Sequence, residues 1–588
     1  MLKLTKFLKP YWWQILLLLA ATGLQVYTTL QLPLLMAEII NDGIVPGNID
    51  FIWQTGWRMV GLTALSAVAA FLSSYFSAKV GAYFSRDLRS AVFQKVLSFN
   101  LIDMKDFSTA SLITRTTNDI SQVQQAMTMI LSMMLRAPLF CILGLVMAFQ
   151  TAPDMTWIIA VGVGAIVLSM VMILSAVMPK FKLFQKLVDK ITLLTRENLT
   201  GLRVIRAFNN EKLERKKFAR ANDEMTRLII FVDKLMELEN PLVNVIFNGT
   251  TLLCTWFGIS LLTKDFAYLG NMSAFAQYVS HVMMSFLMMS MLFIMLPRAS
   301  VSAERVNQVL KTPEKIHWSK KTKGTPSKHA VVEFKNVDFS YPGAAEKVLS
   351  NISFRAEAGE TIAFIGSTGS GKSTLVNLVP RFYEATSGEI LIDELPIKDY
   401  AKTDLMKRIG LVPQKGILFA GTIASNIKFG APDATEKEIK AAAKIAQADS
   451  FITKFPNGYQ TKISQGGTNV SGGQKQRLSI ARAICKKPDI YVFDDAFSAL
   501  DMKTDAKLRE ALKEVVQDSV ILIVAQRIST IRNADQIVVL DKGKVVGRGK
   551  HLELVRDCPI YRAIVKSQMS EKEFKNELKL AKEGQHGA

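Results

Sequence analysis

Cysteine is scarce in this chain: 588 residues hold four, Cys141, Cys254, Cys485 and Cys558. None sits at metal-ligand spacing, so they read as free thiols. A cleavable signal peptide is missing as well. The first apolar run has no short hydrophobic core followed by a small-residue cleavage site, and it reads as a first membrane span. Acidic residues are outnumbered, 51 Asp and Glu against 72 Lys and Arg, for a formal charge of +21. No stripe of interleaved aromatic and basic residues accompanies that surplus, which argues against a nucleic-acid partner. Cytoplasmic loops facing anionic lipid headgroups account for it.

Charge itself is absent from six long stretches: 10–37, 59–78, 137–153, 155–179, 240–263 and 266–297. Each is long enough, or nearly so, to cross a hydrocarbon core of about 30 Å at about 1.5 Å per residue. Six such runs in one half of the chain predict a helical six-span membrane domain over 1–310. The shortest, 137–153, needs the flank before Arg136 or a small tilt. Lys3, Lys6 and Lys9 precede the first run, whereas Glu38, Asp42 and Asp50 follow it. The connections 79–136 and 180–239 are rich in Arg and Lys, and the third outer turn has only Lys264 beside Asp265. The positive-inside rule therefore puts both termini in the cytoplasm and the chain in the cell membrane. Residues 1–10 read as an interfacial lead-in to Tyr11, Trp12 and Trp13.

Cytoplasmic connections of that length are improbable as bare loops. Their composition predicts helices that continue well past the bilayer, with short breaks near Phe107–Ser111 and Asn198–Gly201. Lys311 to Lys328 is rich in Lys, Thr, Ser and Pro, and 311–329 reads as a linker. An α/β domain is expected over 330–568, opening on the alternating strand Val331–Phe339. The tail 569–588 reads as a solvated charged helix.

The strongest motif is Gly366, Ser367, Thr368, Gly369, Ser370, Gly371, Lys372 and Ser373, which fits G-x-x-x-x-G-K-[ST]. An apolar strand, Thr361–Ile365, leads into it, and a helix opens at Ser373 and Thr374. In that setting backbone N–H groups wrap phosphates, Lys372 reaches the β- and γ-phosphates, and the Ser373 hydroxyl ligates Mg²⁺. ATP and Mg²⁺ are the implied cofactors. Asp489 to Asp495 is an apolar strand ending in two carboxylates, and Ile521 to Gln526 is another ending in a glutamine. Between them lies Val470-Ser471-Gly472-Gly473-Gln474.

Together these motifs resemble the nucleotide-binding domain of an ATP-binding cassette (ABC) transporter, and the membrane half matches the exporter architecture of that family. The resemblance implies an α/β P-loop domain in which Tyr341 stacks on adenine. Gln414 and Asp494 join Ser373 around the metal, Gln414 also reporting on nucleotide next to the membrane domain. Ser471, Gly472, Gly473 and Gln474 correspond to the signature that clasps the γ-phosphate of the opposite subunit's ATP. Ser498 and Asp501 match the loop that crosses the dimer interface. The breaks in the two cytoplasmic connections correspond to coupling helices.

Two positions depart from the family: Asp495 stands where most members have the catalytic Glu, and Gln526 where they have His. Asp495 is one methylene shorter, and a general base must come within hydrogen-bonding range of its water. Gln526 neither titrates nor carries charge, although it can still donate to a γ-phosphate oxygen. Gln465 stands where exporters commonly have Glu. The pattern is similar to the degenerate-site subunit of bacterial heterodimeric multidrug exporters. It implies a chain that holds ATP without efficient cleavage and completes a working site on a non-identical partner bearing the catalytic Glu. The cargo would be an amphipathic drug, lipid or peptide, and a Met-rich sixth run with His281 is a candidate to meet it. A slow homodimeric exporter and an ATP-gated channel or sensor are the competing readings. A peptide exporter that processes its cargo would need a protease domain ahead of the first span.

Overall fold

A computed structural model describes residues 2–262, 268–325, 330–515 and 517–583. The chain divides into two compact units, Met1–Leu97 with Thr109–Thr312, and Ser98–Ser108 with Pro313–Ala588.

Among the described residues the first unit is built of helices joined by short turns. Five helical stretches among the described residues are long and apolar enough to cross a membrane: Lys3–Ile44, Ile49–Ser98, Thr109–Thr151, Pro153–Thr200 and Glu211–Ser260. A further helix, Tyr268–Lys311, carries most of the sixth uncharged run. Residues 266–267 and the turn residues Lys264 and Asp265 lie outside the described residues. Only between 11% and 33% of each span window is buried within the protein, so the apolar faces point outward, as a hydrocarbon solvent requires. The helices also outrun any bilayer. Ile49–Ser98 has 50 residues and is about 75 Å long, against a hydrocarbon core of about 30 Å. The charged connections are thus helical, as their length demanded.

The short third run does take in the flank before it. A π-turn over Ile130–Met134 leads into the helix Leu135–Thr151, which includes Arg136. Within the unit, hydroxyls rather than apolar contacts alone tie helices together. Thr22 and Ser73 lie 2.8 Å apart, and Thr29 and Ser66 3.0 Å apart, between the first two spans. Interhelical hydrogen bonds of this kind hold helices where no hydrophobic effect distinguishes helix from lipid. The lead-in over Leu2–Tyr11 is a 3₁₀ helix that buries Leu4 and joins Tyr11 to Asp87. His281 stacks on Phe140 with ring centres 5.4 Å apart. The methionines nearby do not share one environment: Met283 is packed in the core, while Met284 is exposed.

The second unit is built on a six-stranded sheet in the order Lys544–Gly549, Gln536–Asp541, Thr361–Gly366, Val520–Val524, Ile490–Asp494, Ile409–Val412. All neighbours are parallel except the first pair. Near-continuous apolar runs form these strands because helices cover both faces. A four-stranded antiparallel sheet, Leu349–Glu357, Val331–Phe339, Ser387–Ile392 and Leu395–Pro396, flanks the core. Two findings differ from expectation. The stretch read as a linker contributes Ile316 to the core, and the Trp318 ring carries the Arg381 guanidinium. The tail is not simply solvated: its helix Glu571–Glu583 buries Phe574, Glu577 and Ala581. Further, Leu101–Lys105, a short helix just before the first predicted break, belongs to this unit, with Ile102 in its core and Lys315 paired to Asp106 at 2.7 Å. The second break falls at Gly201, followed by the exposed helix Leu202–Ala207.

Candidate nucleotide site

Three adjacent parallel strands, Thr361–Gly366, Val520–Val524 and Ile490–Asp494, end along one edge of the main sheet. Their register puts Val524 beside both Phe364 and Asp494. Ligands in open α/β sheets bind at this edge, beyond the carboxyl ends of the strands. The three loops that leave it carry the glycine motif, the Asp494–Asp495 pair and Gln526.

The first loop is shaped by backbone that only glycine accepts easily. Gly366 and Gly371 have φ of 158° and 96°. A Cβ on Gly366 would lie 2.0 Å from the Leu540 carbonyl oxygen, and one on Gly371 would lie 2.7 Å from Leu349. Ser367, Thr368 and Gly369 face solvent. Ser370 is buried, with its oxygen 3.4 Å from Lys372 Nζ. Lys372 Nζ donates to the Gly366 and Ser367 carbonyls at 2.9 and 2.8 Å, which places the ammonium across the loop it closes. Burial pushes the Lys372 ammonium below its ordinary range, against the pull of Asp495 and Asp494.

Ser373 Oγ donates to Asp494 Oδ1 at 2.7 Å. A hydroxyl and a carboxylate at the mouth of a glycine cradle are hard oxygen donors. They suit Mg²⁺, which takes one or two protein ligands and leaves the rest to phosphate and water. The residues present thus fit a magnesium nucleotide. Burial raises the Asp494 carboxyl above the usual range, and the Ser373 hydrogen bond acts against that.

Asp495 is the centre of the arrangement. It sits in the left-handed region, φ 49°, which Asp tolerates better than most residues. Its N–H donates to the Val524 carbonyl at 3.0 Å. Its Oδ2 accepts two amide hydrogen bonds, from Gln526 Nε2 at 2.9 Å and from Gln414 Nε2 at 3.3 Å. Burial pushes its carboxyl up, with Gln414, Ser498, Lys372 and Arg527 acting in the opposite sense. Asp495 and Gln526 are therefore bonded to each other.

Tyr341 lies beside the helix that follows the glycine loop, its hydroxyl 3.0 Å from Thr374 Oγ1. Its ring meets Phe339 and Tyr383 edge-on, with centres 5.0 and 5.3 Å away. Ser471 caps the helix Gly472–Lys486 reciprocally with Gln474: Ser471 Oγ accepts from Gln474 N, and Gln474 Oε1 accepts from Ser471 N at 2.9 Å. Ser471 and Gly472 are exposed at the positive end of that helix. Ser498 Oγ donates to the Asp495 carbonyl at 2.8 Å, and Asp501 accepts from Thr504 N at 2.9 Å. Gln465 is exposed in a 3₁₀ turn, Gln465–Gly467.

Three contributors were not read from the sequence. Arg527 donates to the Leu500 and Ser498 carbonyls at 3.1 and 3.0 Å. Gln476 is buried and donates to the carbonyl of Pro413, just before Gln414, at 3.0 Å. Gln568 donates to the Gln526 carbonyl at 2.7 Å. Arg527 and Gln476 adjoin motifs, but nothing local says what they hold. Gln568 has no sequence signal at all.

Two family profiles match the chain: an ABC transporter transmembrane region over residues 15–286 and an ABC transporter domain over residues 349–498. An uncharacterized ABC transporter ATP-binding protein of Mycobacterium tuberculosis is 39% identical over 96% of this chain and 97% of its own. An ATP-dependent lipid A-core flippase of Haemophilus influenzae is 32% identical over 91% of this chain and 91% of its own. The solved structure of a bacterial Atm1-family ABC exporter with ATP bound superimposes with a TM-score of 0.79, covering 95% of this chain and 98% of that one at 24% identity.

Proposed function

The chain belongs to the ABC transporter family, and we propose that it is one half of an ATP-driven exporter whose own site retains ATP and hydrolyses it slowly. Six spans, with Tyr268–Lys311 as the sixth, would cross the cell membrane, both termini and the nucleotide domain lying on the cytoplasmic side. A non-identical half-transporter with a catalytic Glu would complete the assembly.

The observation that carries this reading is the Gln526–Asp495 hydrogen bond of 2.9 Å, with Gln414 on the same oxygen at 3.3 Å. A general base must offer a free lone pair to water. Here one of the two oxygens of a short carboxylate already accepts from two amides. The partner in the His position is itself an amide that can neither take nor relay a proton. Gln526 can still donate to a γ-phosphate oxygen, and Lys372 and the open glycine loop can hold the phosphates. Ser373, Gln414 and Asp494 would hold Mg²⁺, which neutralises phosphate charge when bound. Tyr341 would offer a ring face to adenine. Ser471 and Gly472, exposed at a helix N-terminus, together with the half-buried Gly473, would clasp the partner's ATP.

The cargo is proposed to be amphipathic. The outward apolar faces suit uptake from the bilayer, and one relative is named a lipid A-core flippase. Nucleotide trapping tests the reading. After incubation of the full chain with Mg²⁺ and ATP and removal of free nucleotide, the retained molecule is expected to be ATP. Retention of ADP alone would mean that the site turns over.

A further inference from the structure

We infer that Gln568 is a positioning residue for Gln526: through its side-chain amide, the C-terminal helical segment sets where the loop at position 526 presents its glutamine to the terminal phosphate.

Gln568 is the last residue of the helix Pro559–Gln568, which is anchored by buried Tyr561 and Val565. Its Nε2 donates to the Gln526 carbonyl at 2.7 Å, and its Oε1 accepts from Ile528 N at 2.9 Å. Ile528 opens a four-residue helix, Ile528–Ile531, and its N–H is one of the donors that a helix start leaves over. A cap needs only the acceptor end of the amide. Gln568 also spends its donor end on the peptide of residue 526. Both sides of Arg527 are thus gripped by one side chain. Arg527 in turn holds the Leu500 and Ser498 carbonyls, so the loop is fixed from the opposite direction too. Two hydrogen bonds from one planar amide fix an orientation as well as a position. The residue whose orientation is fixed donates 2.9 Å to Asp495. The helix Pro559–Gln568 therefore reaches the altered pair directly.

This inference rests on the proposal that Gln526 donates to the γ-phosphate, and the experiment separates the two. The affinities of the full chain for a non-hydrolysable ATP analogue and for ADP are measured in the parent, Gln526→Leu, Gln568→Met and the double variant. Thermal unfolding serves as a check on folding. Met keeps the length of the side chain and removes both polar ends. Each single variant is expected to lose about fivefold in affinity for the ATP analogue, the scale of one net hydrogen bond, with ADP affinity and unfolding unchanged. The double variant is expected to bind no worse than Gln526→Leu alone, because both changes remove the same contact. Gln568→Glu, which keeps an acceptor for Ile528 but has no donor for residue 526, is expected to behave like Gln568→Met. Equal losses for both nucleotides, lowered unfolding temperature alone, or a shift in Gln526→Leu but not in Gln568→Met would make Gln568 a brace and overturn the inference. No shift in Gln526→Leu would overturn the reading of Gln526, and the inference with it.

Discussion

Asp495 Oδ2 is shared by two glutamine amides, at 2.9 and 3.3 Å, and the proposed slow hydrolysis rests on that sharing. Lengthening the carboxylate should matter more than removing it. Asp495→Glu combined with Gln526→His is expected to raise phosphate release by the chain alone by about 10²-fold or more, the usual contribution of a positioned general base. Asp495→Asn is expected to leave the slow rate almost unchanged while ATP still binds; a phosphate-release assay with parallel nucleotide binding checks both. The glycine loop, Lys372 and Ser373 were legible in the sequence because their geometry is local: eight consecutive residues specify it. The substitution of Asp and Gln at 495 and 526 was also legible. That the two side chains bond each other was not, because they stand 31 positions apart and meet only through a parallel strand pairing. The same holds for Gln568, 42 residues from the carbonyl it grips.

The C-terminal helix Glu571–Glu583 shows how an element can be misjudged from its charges. Its repeated Glu and Lys suggested a solvated face. One glutamate, Glu577, instead lies buried against His551, 3.3 Å from Nε2, and pairs with Arg532. His551 Nδ1 is 2.7 Å from the Tyr561 hydroxyl. Burial holds the His551 imidazole below its ordinary range, with Arg532 in the same sense and Glu577 opposing. The folded state thus favours neutral histidine. That contribution is present above the ordinary histidine pKa of about 6.5 and is lost as pH falls through the lower folded value. Amide exchange over Glu571–Glu583, corrected for intrinsic rates, is expected to speed up below about pH 6.5 in the parent. The acceleration should be absent in His551→Gln. Glu577→Ala is expected to lower the opening free energy of this helix by about 1–3 kcal/mol at neutral pH, read in the same experiment. The membrane helices were easier to place, because absence of charge over 17 or more residues has few other meanings. Their extension to 50 residues in Ile49–Ser98 followed from loop length rather than from any local signal. The membership of Ser98–Ser108 in the second unit depends on packing around Ile102, which no periodicity reveals.

At the scale of the whole molecule, the chain is expected to act on a partner's ATP through its exposed signature and to act little on its own. Ser471→Ala should therefore cut hydrolysis by the assembled pair by about 10²-fold, the scale of one lost donor to developing phosphate charge, while nucleotide affinity of this chain alone stays as it was. Competition binding on the isolated chain and phosphate release from the pair check the two halves of that statement. The most direct measurement is ATPase activity of the purified full chain, alone and together with a half-transporter that carries a Glu at the position of Asp495. The account predicts near-zero turnover alone, turnover restored by the partner, and its abolition when that partner's glutamate is neutralised. Robust turnover by the chain alone, lost on Asp495→Asn, would contradict it and make Asp495 a working base in a homodimer.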